Sequence, residues 1–566
     1  MAKKKKEETL SYLQMPLPSG GKYSKMTKVS FGGLNKRHTL DSGSLTMERN
    51  ISTNEYPYLT PSELKIAVSD TYSNPISMFA FDDFLIVIYR ENGEVLIDYI
   101  TADNDVYKGT LKSSGATEED DVPRSVVQFN VYNQSEDIVN GTYDKKLLIF
   151  PDKMSMDFEI TKDNFEIQDM KVDIKTYKND TPPYLPPDTA SHNYYYKNTS
   201  EVAAESKDTE YGKAIYRWFE DEVDSENSGW KISIPPTMPD IKYATVHLSR
   251  LFGVSDDCVY ASGFNDYTNW SLDTKDEYNE SNSWFSQTQS NTKAGGNFTG
   301  ITTFQGHVIC FKRDFMHEIY NTKNPFRLQD IYAEGAIDNR TIQDVDGKLI
   351  FVSEDDVKIY TGSNPRIIGY NLNMSQYAYA VSGTDNRNYY LYCEDADEKR
   401  YLYVYDTYTE LWSEQSITDR VVSFAHNKNG MYMLCKDDSC YGYVYKMDTG
   451  DYNHEWSFET DLVTNKTVDI KHIKKLQMLV DVDAENEDAY INVYILYDKE
   501  EFDAMSPDDK AKRLAYSSNG KLGKFPIRVK PRNTANYGFK LHFEGKGYVK
   551  LYELEIFIEA GGDMYV

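Results

Sequence analysis

Few side chains in this sequence are spaced the way reacting groups are spaced. His307 and His317 fall in neighbouring strand-like runs, but two imidazoles alone are a weak metal signal, and the remainder of the nine histidines are dispersed. Acidic runs at 118–121, 354–356 and 437–438 do not follow the calcium-loop pattern and read as solvated turns. With 90 acidic residues in the chain, carboxylate pairs arise by abundance, so no glycosidase-like acid and base can be singled out. The glycine pairs at 20–21, 32–33, 295–296 and 561–562 form neither a dinucleotide fingerprint nor a phosphate loop. There is no nucleophile elbow and no histidine-cysteine cluster with zinc spacing. The five cysteines, Cys258, Cys310, Cys393, Cys435 and Cys440, lack a paired motif and sit mostly in apolar strand contexts, as small buried hydrophobes do. Cys435 and Cys440 flank the 436–439 turn and could face each other across a hairpin. Free thiols are nevertheless the expected state, which fits assembly in a reducing cytoplasm. The expectation is a protein that is not an enzyme, with no catalytic, cofactor-binding or metal-ligating residue to assign and no cofactor.

The elements that would position any site are strands. Residues 249–362 run SRLFGV, CVYASGFNDYTNW, GITTFQGHVICFKRDFMHEIY and EGAIDNRTIQDVDGKLIFVSEDDVKIYTG. Apolar or β-branched runs at 301–304, 307–312 and 316–320 are separated by Gln305-Gly306 and Arg313-Asp314. Those at 348–352 and 357–361 are separated by 353–356 and preceded by Asp346-Gly347, a strong hairpin signal. Closely spaced hairpins with no helix between them predict an antiparallel meander, the unit of a propeller blade.

These same residues, from RLFG through ITTFQGHVICFK and GAIDNRTI to GKLIFVSEDDVKIYTG, resemble a family of tailed-phage virion proteins. The family comprises β-propellers near the head-proximal end of the tail, known as nozzle, hub or stabilisation proteins. Similarity extends more weakly through SFGGLN and NEYPYLTPS in 31–61. The resemblance implies a structural tail protein, several copies of which, a hexamer by analogy with nozzle proteins, ring the channel through which genomic DNA passes without specific binding. It implies portal or adaptor proteins and other tail or fibre proteins as partners. It also implies residence in the virion tail after assembly in the host cytoplasm. The alternative is a tail-associated module binding host-surface glycans, which would need exposed Trp or Tyr clusters in a groove; a propeller-borne glycan depolymerase is a more remote one.

Composition agrees with a β protein. Aromatics make up 14% of the 566 residues and include 47 tyrosines, which favour strands and half-wet surfaces. The formal charge of -28, from 62 basic against 90 acidic residues, argues against a general nucleic-acid-binding face. It suits solubility, and also a wall that DNA slides past. No apolar run approaches the roughly eighteen residues of a membrane span, so no membrane anchor is expected. The opening MAKKKKEE lacks the apolar core of a signal peptide.

The fold class predicted is all-β: a β-propeller with an inserted segment and a C-terminal β-sandwich. Residues 1–28 read as an extended arm, 29–160 as the first part of the propeller, 161–240 as the insertion, 241–450 as the second part and 451–566 as the sandwich. The 27–31 stretch is the expected ring-closing strand, 103–123 a polar loop, and 214–223 a short helix. The four prolines of 181–190 exclude central strands, and the tyrosines that follow suit a contact surface. Trp412 is expected as core packing between blades, and 498–513 as a helical loop. No clear repeat is visible, and counting strands at about four per blade gives roughly five to seven blades.

Overall fold

The computed structural model describes residues 13–14, 23–28, 31–37, 43–133, 142–161, 165–170, 174–177, 195–198, 215–219, 229–232, 237–272, 283–288, 296–374, 376–464, 470–482, 489–497, 500–518, 527–529 and 535–560. The chain is all-β. Its one α-helix among these residues, Pro507–Arg513, falls within the 498–513 segment and is capped by Ser506, whose hydroxyl accepts the Asp509 N–H at 3.2 Å. No helix among them is long and apolar enough to cross a bilayer.

Turns of the X-Gly type set the architecture. Gln305-Gly306 (φ 47° and 80°) and Asp346-Gly347 (φ 51° and 70°) each hold two successive residues in the left-handed region, which matches a tight hairpin to strand twist. The product is a series of four-stranded antiparallel meanders. They run from Pro75–Phe81 to Val106–Lys112, from Ser125–Asn133 to Ile167–Asp169, and from Tyr243–His247 to Trp284–Gln287. Three more run from Gly300–Phe304 to Arg327–Ile331, from Gln343–Val345 to Arg366–Ile367, and from Tyr379–Thr384 to Leu411–Gln415. A further sheet has Arg420–Asn427, Gly430–Lys436 and Tyr441–Lys446, and is completed by Ile66–Ala67 and Tyr72–Ser73 from the other end of the chain. Many small sheets of this kind are compatible with a propeller.

The chain divides into two compact units, one of Met1–Tyr89, Thr101–Asp103 and Arg340–Val566, the other of Arg90–Ile100 and Asn104–Asn339. In the second unit the first strands of consecutive meanders lie side by side. Ser125 Oγ donates to the Ala244 carbonyl at 3.5 Å, and the Thr245 and Thr303 hydroxyls are 3.0 Å apart. Phe129, Leu148 and Phe150 pack with Ile241 and Leu251, and Phe252 and Val254 pack with Ile301, Val308 and Phe326. A buried bidentate pair, Arg124 with Asp152 at 2.9 and 3.0 Å, fixes the entry to the 125–169 meander. The strands Ile174–Tyr177, Tyr195–Asn198, Ile215–Phe219 and Gly229–Ile232 form a sheet of their own whose first pair is parallel.

Two local expectations in this unit need correction. The expected helix at 214–223 contains the strand Ile215–Phe219, because IYRWF is β-branched and aromatic and favours a pleated surface. The expected loop at 103–123 contains the strand Val106–Lys112. It is the outermost strand of its sheet and buries only Leu111, so its sequence lacks a regular apolar alternation. The proline-rich 181–190 stretch, the charged 201–210 stretch and Lys3–Lys6 lie outside the described residues.

In the first unit the same side-by-side arrangement recurs. Gln343 Nε2 donates to the Ser382 carbonyl at 3.2 Å, the Tyr379 hydroxyl to the Val421 carbonyl at 3.1 Å, and Ser423 Oγ to the Met78 carbonyl at 2.9 Å. The approach is close enough that a Cβ on Gly383 would stand 2.2 Å from that of Phe424, so glycine is required there. Trp412 is buried, with its indole N–H on the Ile368 carbonyl at 2.8 Å and its ring against Tyr403 and Tyr405.

This unit also holds two larger sheets. One pairs Tyr23–Lys28 with Val549–Ala560 and Lys471–Val482; the other runs Leu45–Arg49, Glu455–Thr460, Phe539–Lys546, Tyr490–Tyr497, Leu514–Ser517. Their side chains share one core that includes Trp456, Phe458, Leu476, Val493, Phe543 and Leu554. The expected arm (1–28) and first propeller segment (29–160) are therefore divided differently. Thr27 and Lys28, the first two residues of the 27–31 stretch expected to close a ring, belong to Tyr23–Lys28, which pairs instead with Val549–Ala560, and Leu45–Arg49 joins the 455–460 strand. Tyr23–Lys28 lines up with a twelve-residue strand, a far longer partner than the two-residue stubs that complete the 420–446 sheet. Between these attachments, Leu34 N–H bonds the Trp412 carbonyl at 2.8 Å and Val68 N–H bonds the Val444 carbonyl at 2.8 Å.

Candidate functional site

The sequence assigns no site residue, so the candidate is built from what the sheets bring together. In the first unit two concavities flank the Tyr379–Gln415 meander. The smaller, about 360 Å³, is lined by Lys36, Gln376, Asp395, Lys399, Tyr401 and Tyr403, among others. Its polar groups are already engaged with one another. Lys36 Nζ donates to the Tyr403 hydroxyl at 2.8 Å, pairs with Glu414 at 2.7 Å and lies 4.4 Å from the Tyr401 ring centre. Asp395 accepts from the Asp397 and Lys399 amides and from the Tyr401 hydroxyl. This recess is the seam where the 31–37 segment is sewn to the meander.

The larger concavity, about 660 Å³, is lined by Asp344, Asp346, Gly347, Asp385, Asn386, Arg387 and Tyr408. Asp344 lies in the short Gln343–Val345 strand and Asp346 in the hairpin turn after it. Asp385, Asn386 and Arg387 form the corresponding turn of the next meander, with Asn386 at φ 73°. Tyr408 comes from the turn that follows Arg400–Asp406. One buried carboxylate organises the group: Asp406 accepts the Tyr408 N–H at 2.8 Å and Arg387 Nη2 at 2.6 Å. Arg387 Nη2 also donates to the Asn54 carbonyl at 2.9 Å, and its guanidinium lies 5.4 Å from the Tyr408 ring centre. Asp385 accepts four donors, the Arg387 and Asn388 amides, Asn388 Nδ2 and the Tyr390 hydroxyl, so its carboxylate is fixed in place. Burial pushes the Asp344 carboxyl above its ordinary pKa, with the nearby Asp346 adding to the effect.

The residues weighed from sequence are not brought together. His307 and His317 lie on paired strands but face different partners: His307 Nδ1 is 3.7 Å from Glu318, while buried His317 has Nδ1 3.0 Å from Asp330 and its ring between Phe298 and Phe315. Among the described residues no group of three His, Cys, Asp or Glu side chains is placed to hold a metal ion. Glu118–Asp121 is a short 3-10 turn whose Asp120 and Asp121 pair with Lys112 and Arg90. Asp437 caps its own turn through the Ser439 and Tyr441 amides, and Asp438 pairs with Arg400 at 2.7 Å. All five cysteines are free, Cys435 buried and Cys440 exposed.

A buried polar cluster lies in the five-stranded sheet. Glu459 pairs with Lys540 at 2.8 Å, and His542, stacked on Phe502 with ring centres 3.7 Å apart, has Nδ1 3.6 Å from Glu459. Burial opposes ionisation of Glu459, but Lys540 and His542 outweigh it and hold the carboxyl below its ordinary value. A depressed carboxylate contributes stability above its unfolded pKa of about 4.3, and that contribution is lost as pH falls through the lower folded value. Denaturant unfolding of wild type and Glu459→Gln should therefore differ at neutral pH and converge in acid below about pH 4. A gap that persists undiminished in acid would contradict this.

No known protein family matches the chain, and no characterised protein sequence matches it either. Among solved structures, a chain of one described as the crystal structure of the mitotic checkpoint complex aligns over 68% of this chain and 90% of its own, at 9% identity and a TM-score of 0.32, too distant to argue from.

Proposed function

We propose that this chain is a structural protein of a bacteriophage tail, a nozzle or hub β-propeller whose copies close into a ring around the DNA channel. In this reading the ring joins the portal-proximal tail to other tail or fibre proteins. The 174–232 sheet is an insertion into the propeller, and the two larger sheets form a sandwich that serves as a docking module. The protein works without turning over a substrate and resides in the virion tail after assembly in the host cytoplasm. The observation that carries the reading is the resemblance at 249–362, whose strands fall within successive four-stranded meanders. Among the described residues there are seven such sets, counting the one completed by Ile66–Ala67 and Tyr72–Ser73, and repeated small sheets of this kind support a propeller. A head-to-tail contact that closes on itself surrounds a channel with one repeated interface. The charge of -28 supports a wall that repels passing DNA.

Negative-stain electron microscopy of the purified chain, with gold-labelled antibody on virions, tests the reading. Rings with a central hole and label at the head-proximal tail are expected. A solitary particle, together with virions that carry no label, would refute it. The second reading, a surface-glycan-binding module, is favoured by one observation: the exposed Tyr408 ring beside the polar cleft.

A further inference from the structure

We propose that the cleft between the 346–347 and 385–387 turns is a carbohydrate site that takes a neutral or amino-bearing pyranose ring against Tyr408. The first argument is availability. In the smaller recess Lys36, Asp395 and the tyrosine hydroxyls bond one another. In the cleft the side chains of Asp346, Asn386 and Tyr408 make no hydrogen bond among the described residues, and Arg387 Nε has no partner. Next to Arg387 in sequence, Asn388, 2% exposed, gives its Nδ2 to the lining Asp385 while its Oδ1 is unpartnered. Buried polar atoms are rarely left this way.

The second argument is shape and chemistry. Tyr408 is 64% exposed, yet its backbone is held by buried Asp406 and its ring is braced by Arg387. A fixed, solvent-facing aromatic ring offers its face to the C–H side of a sugar at little ordering cost. Around it Asp344 and Asp346 present acceptors, and Asn386 presents both a donor and an acceptor, for the hydroxyls at the ring edge. A volume of about 660 Å³ suits one to a few sugar rings.

The third argument is sign. The lining cation, Arg387, is already neutralised by Asp406, so the rim is net acidic. Uronic or sialic acids are disfavoured, and neutral or amino sugars are preferred. The site stands on the geometry of this cleft alone and holds whether or not the chain assembles into a ring.

The test uses the full chain on a printed array of hexose, hexosamine and uronic-acid oligosaccharides, followed by calorimetric titration of the best binder. Signal is expected from neutral or amino sugars and not from uronic acids. Tyr408→Ala should weaken binding about tenfold, the loss of one aromatic contact. Asp346→Asn should weaken it by a smaller factor. Both side chains are surface groups, so unchanged melting of both variants serves as the folding control. An array silent throughout, a preference for uronic acids, or affinity unaltered in Tyr408→Ala would overturn the proposal. So would tight capture of a tetralysine peptide with no sugar signal, which would make the cleft an acidic docking groove.

Discussion

Deletion of residues 1–73 is expected to leave a chain that no longer unfolds as a cooperative body. The segment contributes Tyr23–Lys28 to the six-stranded sheet, Leu45–Arg49 to the five-stranded sheet, and Ile66–Ala67 and Tyr72–Ser73 to the 420–446 sheet. It also removes Phe31, Leu34, Leu45, Ile51 and Leu59, each 5% exposed or less. Full burial of such side chains is worth about 1.5–3 kcal/mol apiece, so their combined loss is on the order of 10 kcal/mol, comparable with the net stability of a domain. Three sheets would also expose strand edges with unpaired amides. Near-ultraviolet circular dichroism and limited proteolysis should show lost tertiary signal and rapid cleavage within 340–566. A truncated chain that melts as sharply and as high as the intact one would show that these strands are ornamental.

The largest single-residue effect is expected at Phe458. Its ring stacks on Phe543 at 4.4 Å and 10°, lies 6.2 Å from Trp456, and meets Phe31 edge-on at 6.3 Å. It is 1% exposed at the centre of the core shared by the two larger sheets. Truncating a buried Phe to Ala costs about 3–5 kcal/mol, because the cavity adds to the lost transfer energy. Urea unfolding followed by tryptophan fluorescence should show a transition moved well down for Phe458→Ala, whereas Tyr537→Ala, at a ring 60% exposed, should leave it in place. A shift no larger than that of the control would mean that the core collapses around the void or that the packing described is not present in solution.

The strands that sequence displays clearly are apolar or β-branched runs bounded by tight turns. Ile301–Phe304 and His307–Phe311 are of this kind, and the expected runs at 301–304 and 307–312 match the observed strands to within a residue. Of the misread elements, Ile215–Phe219 is an inner strand, whereas Val106–Lys112 lies at a sheet edge. Val106–Lys112 is half-wet along its length, and the two stubs at 66–67 and 72–73 are too short to carry any period. Nothing local marks them as strands; they are such because the Tyr441–Lys446 edge needs partners. The cleft was illegible for a different reason. Asp346-Gly347 is visible as a hairpin and Asp406–Trp412 as a strand junction, but aspartates at turns occur for backbone reasons alone. Only the stacking of one meander on the next carries Asp344, Asn386 and Tyr408 to a common rim. The signal that could have found it is a pair of acidic inner turns one meander apart, followed by a tyrosine in a polar turn.

The antiparallel partnership of Tyr23–Lys28 with Val549–Ala560 has a consequence for biosynthesis. Residues 23–28 leave the ribosome long before residues 549–560, with which they pair. At about 5–20 residues per second, that wait is roughly half a minute to one and three-quarter minutes. Throughout it the nascent chain carries adhesive, unmatched strands, so yield in a foreign host should depend on holding chaperones and on slow expression more than on the stability of the finished protein.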